Sequence, residues 1–430
     1  MSEPTLTNWR AGADVWRSMR KFDERYVDFG FRLFSAGRLP ANLFVRLHTF
    51  GIPQEAVAQT LRDIRSLDDW SRAWVETAQS YLGMSRRETS AGNLAEAERA
   101  RYMAAMCYHA AQIMEIHDLK TRDSCRAWTS SLVKQSLHVI RPNARHMTVQ
   151  WRDRQLPILF EAPEQAAQPF GLVVLFNGIS QSKEETFLLA PRFLEAGYAV
   201  LAIDSPGTGE ATSLGPLSAS ASDILDAVLQ ELSAEPTIDL QRLVLVGCSF
   251  GGNEAIRIAR RIPNVMAVVT VTPAVAPAAW MDYANTIIWA ELRDAVGDRD
   301  PREVATTFDV NETVDKLHVP MLIFGAGHDT VVPPNESQKL AERVGERGTL
   351  VWYPDLGHCL YEAGDQWTTE AVSWLNAIAV AKADGEVDAG ALNTIGRHAM
   401  ESSEYHPLGN DESYEEEDFT EYARLISADE

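Results

Sequence analysis

The sequence is short of cysteines, of basic residues and of long uncharged segments. Its 430 residues include four cysteines and no C-x-x-C pair, which argues against a disulfide-stapled scaffold and against a zinc site built on paired cysteines. The longest uncharged stretch, around residues 263–281, contains three prolines and several polar residues, and this composition predicts a buried strand followed by a loop. We therefore expect a protein of a reducing compartment, the cytoplasm, with neither a membrane span nor a bound metal.

Basic residues are scarce relative to acidic ones. There are 39 Lys and Arg residues against 61 Asp and Glu residues, so the formal net charge is -22. Because phosphate-rich partners require clustered positive charge, neither a nucleic acid nor an anionic membrane surface is expected as a partner. Part of the excess lies in residues 401–430, which hold eleven acidic residues and one basic residue. We predict that residues 386–430 form an acidic, flexible tail.

Two different periodicities divide the rest of the chain. Residues 1–142 have apolar side chains at helical spacings of three and four, for example over 94–117, which predicts a helical N-terminal lid domain. After residue 143, alternation over 147–151 and 156–160 predicts a β-hairpin. Short apolar runs then alternate with helical stretches, at 172–176, 199–203, 243–246, 266–271, 321–324 and 350–353. This alternation predicts an α/β fold with a doubly wound, mostly parallel sheet within residues 143–385.

A nucleophile motif follows the third apolar run, at the end of a strand where such sheets bind their ligands. The segment Gly247-Cys248-Ser249-Phe250-Gly251 matches G-x-S-x-G and lies between a predicted strand and a predicted helix. Glycine is required on both sides because side chains would clash in the tight turn that exposes the serine hydroxyl. We expect Ser249 to be a catalytic nucleophile and Cys248 to be a packing residue.

A serine hydroxyl needs a base, and the base needs an acid that fixes its tautomer. His358 follows the last apolar run, and Asp329 follows the run before it. The order Ser249, Asp329, His358 is the order expected on this type of sheet. Asp355 is an alternative acid on the histidine's own loop, and His328 is expected to be a loop neighbour without a role.

The oxyanion of an acyl-transfer reaction requires backbone N–H groups aimed at the developing charge. We expect one from Phe250, the residue after the nucleophile, and a second from the loop after the first run. There Ile179 is the first choice and Gly178 the alternative. Ser182 and Glu185, just beyond, have the spacing of a helix capping box and are expected to be structural.

The segment between about 275 and 315 is where a cap over the sheet is expected. Trp280, Tyr283 and Trp289 lie there and are candidate substrate-binding residues. They predict an apolar, partly aromatic small-molecule substrate, although plain packing is an equal alternative. The turn at 204–210 is expected to be scaffold close to the pocket, and Cys359 is expected to be an inert packing residue.

Several motifs together resemble a known family. Residues 170–375 resemble an α/β-hydrolase. The stretches at 177–185, 204–210 and 247–252 are similar to the branch that includes 2,6-dihydroxypseudooxynicotine hydrolase and the fungal polyketide-shortening hydrolases. The first oxyanion loop departs from that branch, because Asn177 stands where relatives tend to have glycine.

This resemblance implies a serine hydrolase in secondary metabolism or aromatic catabolism. It would cleave a carbon–carbon bond beside a ketone, or an ester or lactone, in a polyketide-like or aromatic molecule. The resemblance further implies that no cofactor is used and that the protein is a homodimer. An acyltransferase or cyclase using the same three residues remains the alternative, since the sequence does not identify the acceptor of the acyl group.

Overall fold

The computed structural model describes residues 41–164, 169–284, 286–385 and 387–402. Within these residues the chain forms two compact units, one reaching to Arg145 and the other beginning at His146. None of the described helices is both long enough and apolar enough to cross a membrane.

The first unit is helical, as the spacing of its apolar residues predicts. Its longest helix buries Trp70, Trp74 and Ala78, which are four residues apart and so share one face. Trp70 also donates its indole N–H to Ala110 O on the following helix, at 2.9 Å. The helices are α1 (Ala41–Thr49), α2 (Gln54–Arg62), α3 (Leu67–Ala91), α4 (Leu94–Ile113) and α5 (Leu119–Ile140). The helical prediction for residues 1–40 lies outside the described residues.

The second unit is built on a sheet of eight strands. The strands are β1 (Arg145–Trp151), β2 (Arg154–Glu161), β3 (Phe170–Phe176), β4 (Tyr198–Ile203), β5 (Ile238–Cys248), β6 (Val265–Val271), β7 (Met321–Ala326) and β8 (Gly348–Tyr353). Their order in the sheet is β1-β2-β4-β3-β5-β6-β7-β8. From β4 to β8 every neighbouring pair is parallel, whereas β2 pairs with β4 in the antiparallel sense.

Helices and short 3-10 turns connect the strands. The α-helices are α6 (Lys183–Thr186), α7 (Ala190–Glu195), α8 (Ile224–Leu232), α9 (Phe250–Arg261), α10 (Thr286–Val296), α11 (Pro301–Thr306), α12 (Asn311–Asp315), α13 (Asn335–Val344), α14 (Gly364–Asp384) and α15 (Ala389–Ser402). The 3-10 turns are Phe187–Leu189, Gly209–Leu214, Ala219–Asp223, Pro277–Ala279, Met281–Tyr283, Gly345–Arg347 and His358–Ala363. Every residue of β3, β4 and β6 is buried, which is the burial expected of parallel strands covered on both faces.

The strand predictions are confirmed. All six apolar runs lie inside strands, and the predicted hairpin is β1 and β2, which join through Arg152 and Asp153. Arg152 takes a positive φ of 54° in that tight turn. The predicted fold class, an α/β-hydrolase sheet preceded by a helical N-terminal region, is therefore correct.

The prediction of a flexible tail from residue 386 is wrong for residues 389–402, which form helix α15. The helix is anchored by Asn393, whose side chain donates to Glu346 O at 2.9 Å and lies 2.5 Å from the hydroxyl of Thr349. Gly396 lies so close to Trp374 of α14 that a Cβ there would contact the indole. These contacts come from distant parts of the chain, so local composition did not reveal them. Residues 403–430 lie outside the described residues.

Candidate active site

Ser249 lies in a strained turn between β5 and α9. Its backbone has φ 56° and ψ -120°, a conformation that non-glycine residues seldom adopt. The flanking glycines are required by space, because a Cβ on Gly247 would overlap the carbonyl of Gly251, and a Cβ on Gly251 would overlap the carbonyl of Phe176. The G-x-S-x-G sequence therefore has the geometry of a nucleophile elbow.

His358 and Asp329 form a buried pair at the ends of the neighbouring strands. Asp329 follows β7 and is 4% exposed, and His358 opens the turn after β8 and is 8% exposed. His358 Nδ1 lies 2.7 Å from Asp329 Oδ2. The other carboxylate oxygen accepts the N–H groups of Val331 and Val332, both at 2.8 Å. Asp329 is thus held by its own loop and orients the imidazole.

The alternative acid does not occupy this position. Asp355 is exposed to solvent, and so is His328, whose backbone N–H donates to Leu356 O at 3.0 Å. The carboxyl group that faces His358 is therefore that of Asp329.

The Asp329 carboxylate sets the electrostatics of the histidine. Burial by itself lowers the pKa of His358, but the charge of Asp329 and its hydrogen bond outweigh burial and raise that pKa above the ordinary 6.5. An imidazolium at this position is therefore stabilised, as a group that must accept a proton during a reaction requires.

Two adjacent residues at the end of β6, Val271 and Thr272, contact the serine turn and the loop of His358, respectively. Ser249 N donates to Val271 O at 2.8 Å, and Cys359 N donates to Thr272 Oγ1 at 3.1 Å. Thr272 Oγ1 also lies 3.3 Å from His358 Nδ1. In the described contacts no hydrogen bond joins Ser249 Oγ to His358, and such bonds commonly form only with substrate present.

The loop after β3 lies next to Ser249, and hydrogen bonds fix the orientation of one of its peptides. The carbonyl oxygen of Gly178 accepts Asn177 Nδ2 at 2.9 Å and Gln181 N at 3.2 Å. Because the carbonyl and N–H of a trans peptide point in opposite directions, the Ile179 N–H points away from these two anchors. A Cβ on Gly178 would lie 3.2 Å from Ser249 Cβ, so this loop adjoins the serine.

The two candidate donors on this loop are not equivalent. The N–H of Gly178 already donates to Gln181 Oε1 at 2.7 Å. The N–H of Ile179 makes no hydrogen bond in the described structure, and Phe250 is the first residue of α9, where backbone N–H groups lack helical partners. The geometry favours Ile179 over Gly178 as the partner of Phe250.

A buried cluster of charged side chains lies directly after the loop that follows β3. Lys183 is fully buried, and its Nζ lies 2.7 Å from Glu184 Oε1, 3.3 Å from Asp204 Oδ2 and 2.6 Å from Glu210 Oε2. Burial raises the pKa of Asp204 above its ordinary value. Burial acts in the same direction on Glu210, but His146 and Lys183 outweigh it and lower the pKa of Glu210 to about 2. The turn at 204–210 is thereby tied to α6, a structural role like the one expected from sequence.

The capping-box prediction for Ser182 and Glu185 is only half right. Ser182 is the N-cap residue of α6, but its side chain makes no capping hydrogen bond. Glu185 instead accepts the hydroxyl of Tyr361 at 2.8 Å. Sequence spacing alone could not show that this carboxylate turns toward the histidine loop.

An apolar cluster adjoins the candidate oxyanion donors. Phe250 and Trp280 are buried in it, and Ile179 and Trp289 pack against it while remaining partly exposed. Trp280 Nε1 donates to Glu336 Oε2 at 3.2 Å. Two of the three candidate substrate residues, Trp280 and Trp289, thus belong to or pack against the same apolar cluster as Phe250, and the side chain of Tyr283 lies outside the described part.

Cys248 and Cys359, which flank the serine and the histidine, are both buried free thiols. Burial raises the pKa of Cys359 well above the ordinary value, which keeps it protonated and unreactive. Asn177, Gln181, Thr272 and Tyr361 are the site residues that sequence reasoning missed. Two of them carried a sequence signal, because Asn177 and Gln181 lie in the stretch at 177–185, where Asn177 stands in place of glycine.

Comparison with known proteins places the chain in a family. The family model described as esterase FrsA-like matches residues 59–282, slightly more than half of the chain. The chain belongs to the FrsA-like esterase family. The model of the prolyl oligopeptidase family matches residues 185–380, a span that includes Ser249, Asp329 and His358.

Individual relatives are similar at lower identity. The 2,6-dihydropseudooxynicotine hydrolase of Paenarthrobacter nicotinovorans is 23% identical over 325 residues, 73% of this chain and 85% of that protein. Hydrolyase poxO of Penicillium oxalicum is 24% identical over 221 residues, which span 48% of this chain and 52% of poxO. The chain thus matches about half the length of this fungal relative.

A solved structure confirms the fold. The crystal structure of 2,6-dihydroxy-pseudo-oxynicotine hydrolase superposes with a TM-score of 0.70 at 22% identity, covering 80% of this chain and 98% of that chain. Family and fold together make this member of the FrsA-like family a hydrolase with the α/β-hydrolase fold.

Proposed function

We propose that the protein is a serine hydrolase in which Ser249 is the nucleophile, His358 the general base and Asp329 the acid that orients it. One observation carries the proposal. A buried His358–Asp329 pair with a 2.7 Å contact lies beside a serine held in a strained strand-to-helix turn. Buried charged pairs are unfavourable unless well compensated, and strained backbone persists where the surrounding structure enforces it, so both features point to chemistry rather than to packing.

The proposed reaction uses each of these groups in turn. His358 Nε2, the ring nitrogen that faces away from Asp329, accepts the hydroxyl proton as Ser249 Oγ attacks a carbonyl carbon. The N–H groups of Phe250 and Ile179 stabilise the oxyanion of the tetrahedral intermediate. His358 then gives its proton to the leaving group, and a water molecule hydrolyses the acyl-enzyme by the same steps.

The proposed substrate is an apolar, partly aromatic carbonyl compound, including polyketide-like molecules. The apolar cluster around Trp280 and Trp289 beside the oxyanion loop supports this class. The name of the bacterial relative, a hydrolase of 2,6-dihydropseudooxynicotine, supports it independently. The bond cleaved is either an ester or lactone bond or a carbon–carbon bond next to a ketone. In the second case the leaving group is an enolate, which requires an activated substrate such as a β-diketone.

We also propose that the enzyme acts in the cytoplasm, in secondary metabolism, as a homodimer without a cofactor. The small number of cysteines supports the cytoplasmic location. The resemblance of residues 177–185, 204–210 and 247–252 to the pseudooxynicotine hydrolase branch supports the other points.

The test compares the wild type with the Ser249→Ala variant. Both are incubated with a fluorophosphonate probe and with a panel of aryl esters and β-diketones, and protein and product masses are recorded. We expect labelling and turnover in the wild type and neither in the variant. Ser233→Ala, which removes an exposed hydroxyl that bonds only Gln230 O, is the matched control and should behave as the wild type.

The products identify the reaction. Cleavage of a diketone supports the carbon–carbon assignment, and cleavage of esters alone supports an esterase or lactonase. Full turnover by Ser249→Ala would contradict the mechanism.

A further inference from the structure

Three side chains connect the loop after β3 (177–182, here the oxyanion loop) to the segment after β8 (354–363, here the histidine loop). Gln181 Nε2 donates to Tyr361 Oη at 2.8 Å and to Glu185 Oε1 at 3.1 Å. Tyr361 Oη in turn donates to the same carboxylate oxygen at 2.8 Å. Gln181 and Glu185 are both about 5% exposed or less and Tyr361 is partly buried, so these bonds are largely shielded from water, which strengthens them. We call Gln181, Glu185 and Tyr361 the loop bridge.

Gln181 forms hydrogen bonds with two adjacent peptides of the oxyanion loop. Its side-chain Oε1 accepts Gly178 N at 2.7 Å, and its backbone N donates to Gly178 O at 3.2 Å. The first contact orients the peptide that precedes Gly178, and the second orients the peptide that carries the Ile179 N–H. A rotation of either peptide would break a bond to Gln181. The direction of the Ile179 N–H therefore depends on where Gln181 is held.

Tyr361 lies in the histidine loop, directly after a segment with unusual backbone conformation. Between His358 and Tyr361 lie Cys359 and Leu360, which both have positive φ, 61° and 52°. Such a segment does not hold itself in place by regular helical bonding, and it costs conformational free energy. The hydroxyl of Tyr361 fixes the end of this segment to Gln181 on the loop after β3 and to Glu185 in α6.

We propose that Gln181 and Tyr361 are positioning residues that hold the Ile179 N–H and the His358 ring in register around the reacting carbon. The inference rests on the proposed serine-hydrolase function and extends it to residues that do not touch the substrate. A transition state is stabilised only when the oxyanion donor and the base are correctly placed at the same moment. The loop bridge is a direct hydrogen-bonded connection between the loops that carry them.

The test uses Tyr361→Phe and Gln181→Met, which keep side-chain size while removing the polar atoms of the bridge. The substrate is 4-nitrophenyl butyrate, and a trifluoromethyl ketone that forms a hemiketal oxyanion with the serine is the inhibitor. We expect kcat to fall about tenfold in Tyr361→Phe and about a hundredfold in Gln181→Met, with KM within about twofold. The inhibitor constant should rise by a similar factor, because it reports the same oxyanion geometry.

A matched control separates positioning from a general loss of structure. Tyr353 donates its hydroxyl to Glu370 Oε2 at 2.8 Å, the same kind of bond at the same length, away from the oxyanion loop. Tyr353→Phe should leave kcat and the inhibitor constant unchanged, whatever its effect on the melting temperature. If it lowers kcat as much as Tyr361→Phe does, the proposal is wrong.

A double-mutant cycle tests the connection itself. Because Gln181 and Tyr361 belong to one bridge, the double variant should lose less activity than the product of the two single losses. Independent, additive losses would overturn the bridge, and so would kcat values within twofold of the wild type in both single variants. Failure of the underlying function is seen separately, as absence of fluorophosphonate labelling in the wild type.

Discussion

His358 carries the pH dependence of the proposed reaction. Burial lowers the pKa of His358, but the Asp329 carboxylate 2.7 Å away outweighs burial and raises the pKa above 6.5. The imidazole acts as a base only when neutral, so kcat/KM should rise with pH through a midpoint above 6.5. The pH–rate profile of aryl-ester hydrolysis measures this midpoint.

The Asp329→Asn variant tests the cause of that midpoint. Without the carboxylate charge, burial dominates and the midpoint should fall. The activity should fall by roughly 10⁴-fold, because the tautomer is no longer fixed. Asp355→Asn, at the exposed acid on the loop of His358, should retain the wild-type profile. An unchanged midpoint in Asp329→Asn would show that another group controls the titration.

Lys183 is the buried positive charge that we expect to stabilise the loop after β3. It neutralises carboxylates of α6, of the turn after β4 and of the following 3-10 turn, all within 3.3 Å. Replacing it with Met leaves those carboxylates uncompensated. We expect Lys183→Met to lower the free energy of unfolding by about 3–5 kcal/mol. Urea unfolding at pH 7 measures the loss.

An exposed lysine is the control for that loss. Lys316 lies 3.7 Å from Glu312 with its side chain 61% exposed, and such surface pairs contribute little. Lys316→Met should change the stability by less than about 1 kcal/mol. Equal effects at the two positions would mean that the buried cluster does not stabilise the loop.

At the scale of secondary-structure elements, the elbow between β5 and α9 is limited by space. A Cβ on Gly251 would overlap the carbonyl of Phe176, which belongs to β3. Gly251→Ala should therefore separate α9 from β3, destabilise the protein by about 1–3 kcal/mol and abolish labelling of Ser249. Thermal unfolding and fluorophosphonate labelling measure the two effects together.

Gly364 provides the matched substitution. It is the first residue of α14, and a Cβ there would meet no atom within 4 Å. Gly364→Ala should be neutral or slightly stabilising, because alanine has the higher helix propensity. If Gly251→Ala unfolds at the same temperature as Gly364→Ala, the steric account of the elbow fails.

Elements differ in how far the sequence predicts them. The parallel strands are recognised because strands buried on both faces, such as β3 and β6, are continuous apolar runs. Helix α15 was missed because its position depends on contacts with Glu346, Thr349 and Trp374, which lie up to 47 residues away. A helix that is stabilised by such contacts has no strong signal of its own, particularly beside an acidic segment.

At the scale of the whole molecule, the candidate triad could be found because the fold collects the ends of its strands. Ser249, Asp329 and His358 follow three different strands, and the parallel sheet brings those ends to one edge. The loop bridge could not be predicted, since Gln181 and Tyr361 are 180 residues apart and Tyr361 belongs to no motif. Which of Gly178 and Ile179 donates depends on the direction of single peptide planes, which no spacing encodes.

The most direct measurement is the trapping of the acyl-enzyme. Wild-type protein is mixed with a slowly deacylating aryl ester and quenched with acid, and its intact mass and peptide map are recorded. The account predicts a covalent adduct with the mass of the acyl group, located on Ser249 and absent from Ser249→Ala. Turnover with no adduct on Ser249, or with the acyl group on another residue, would contradict it.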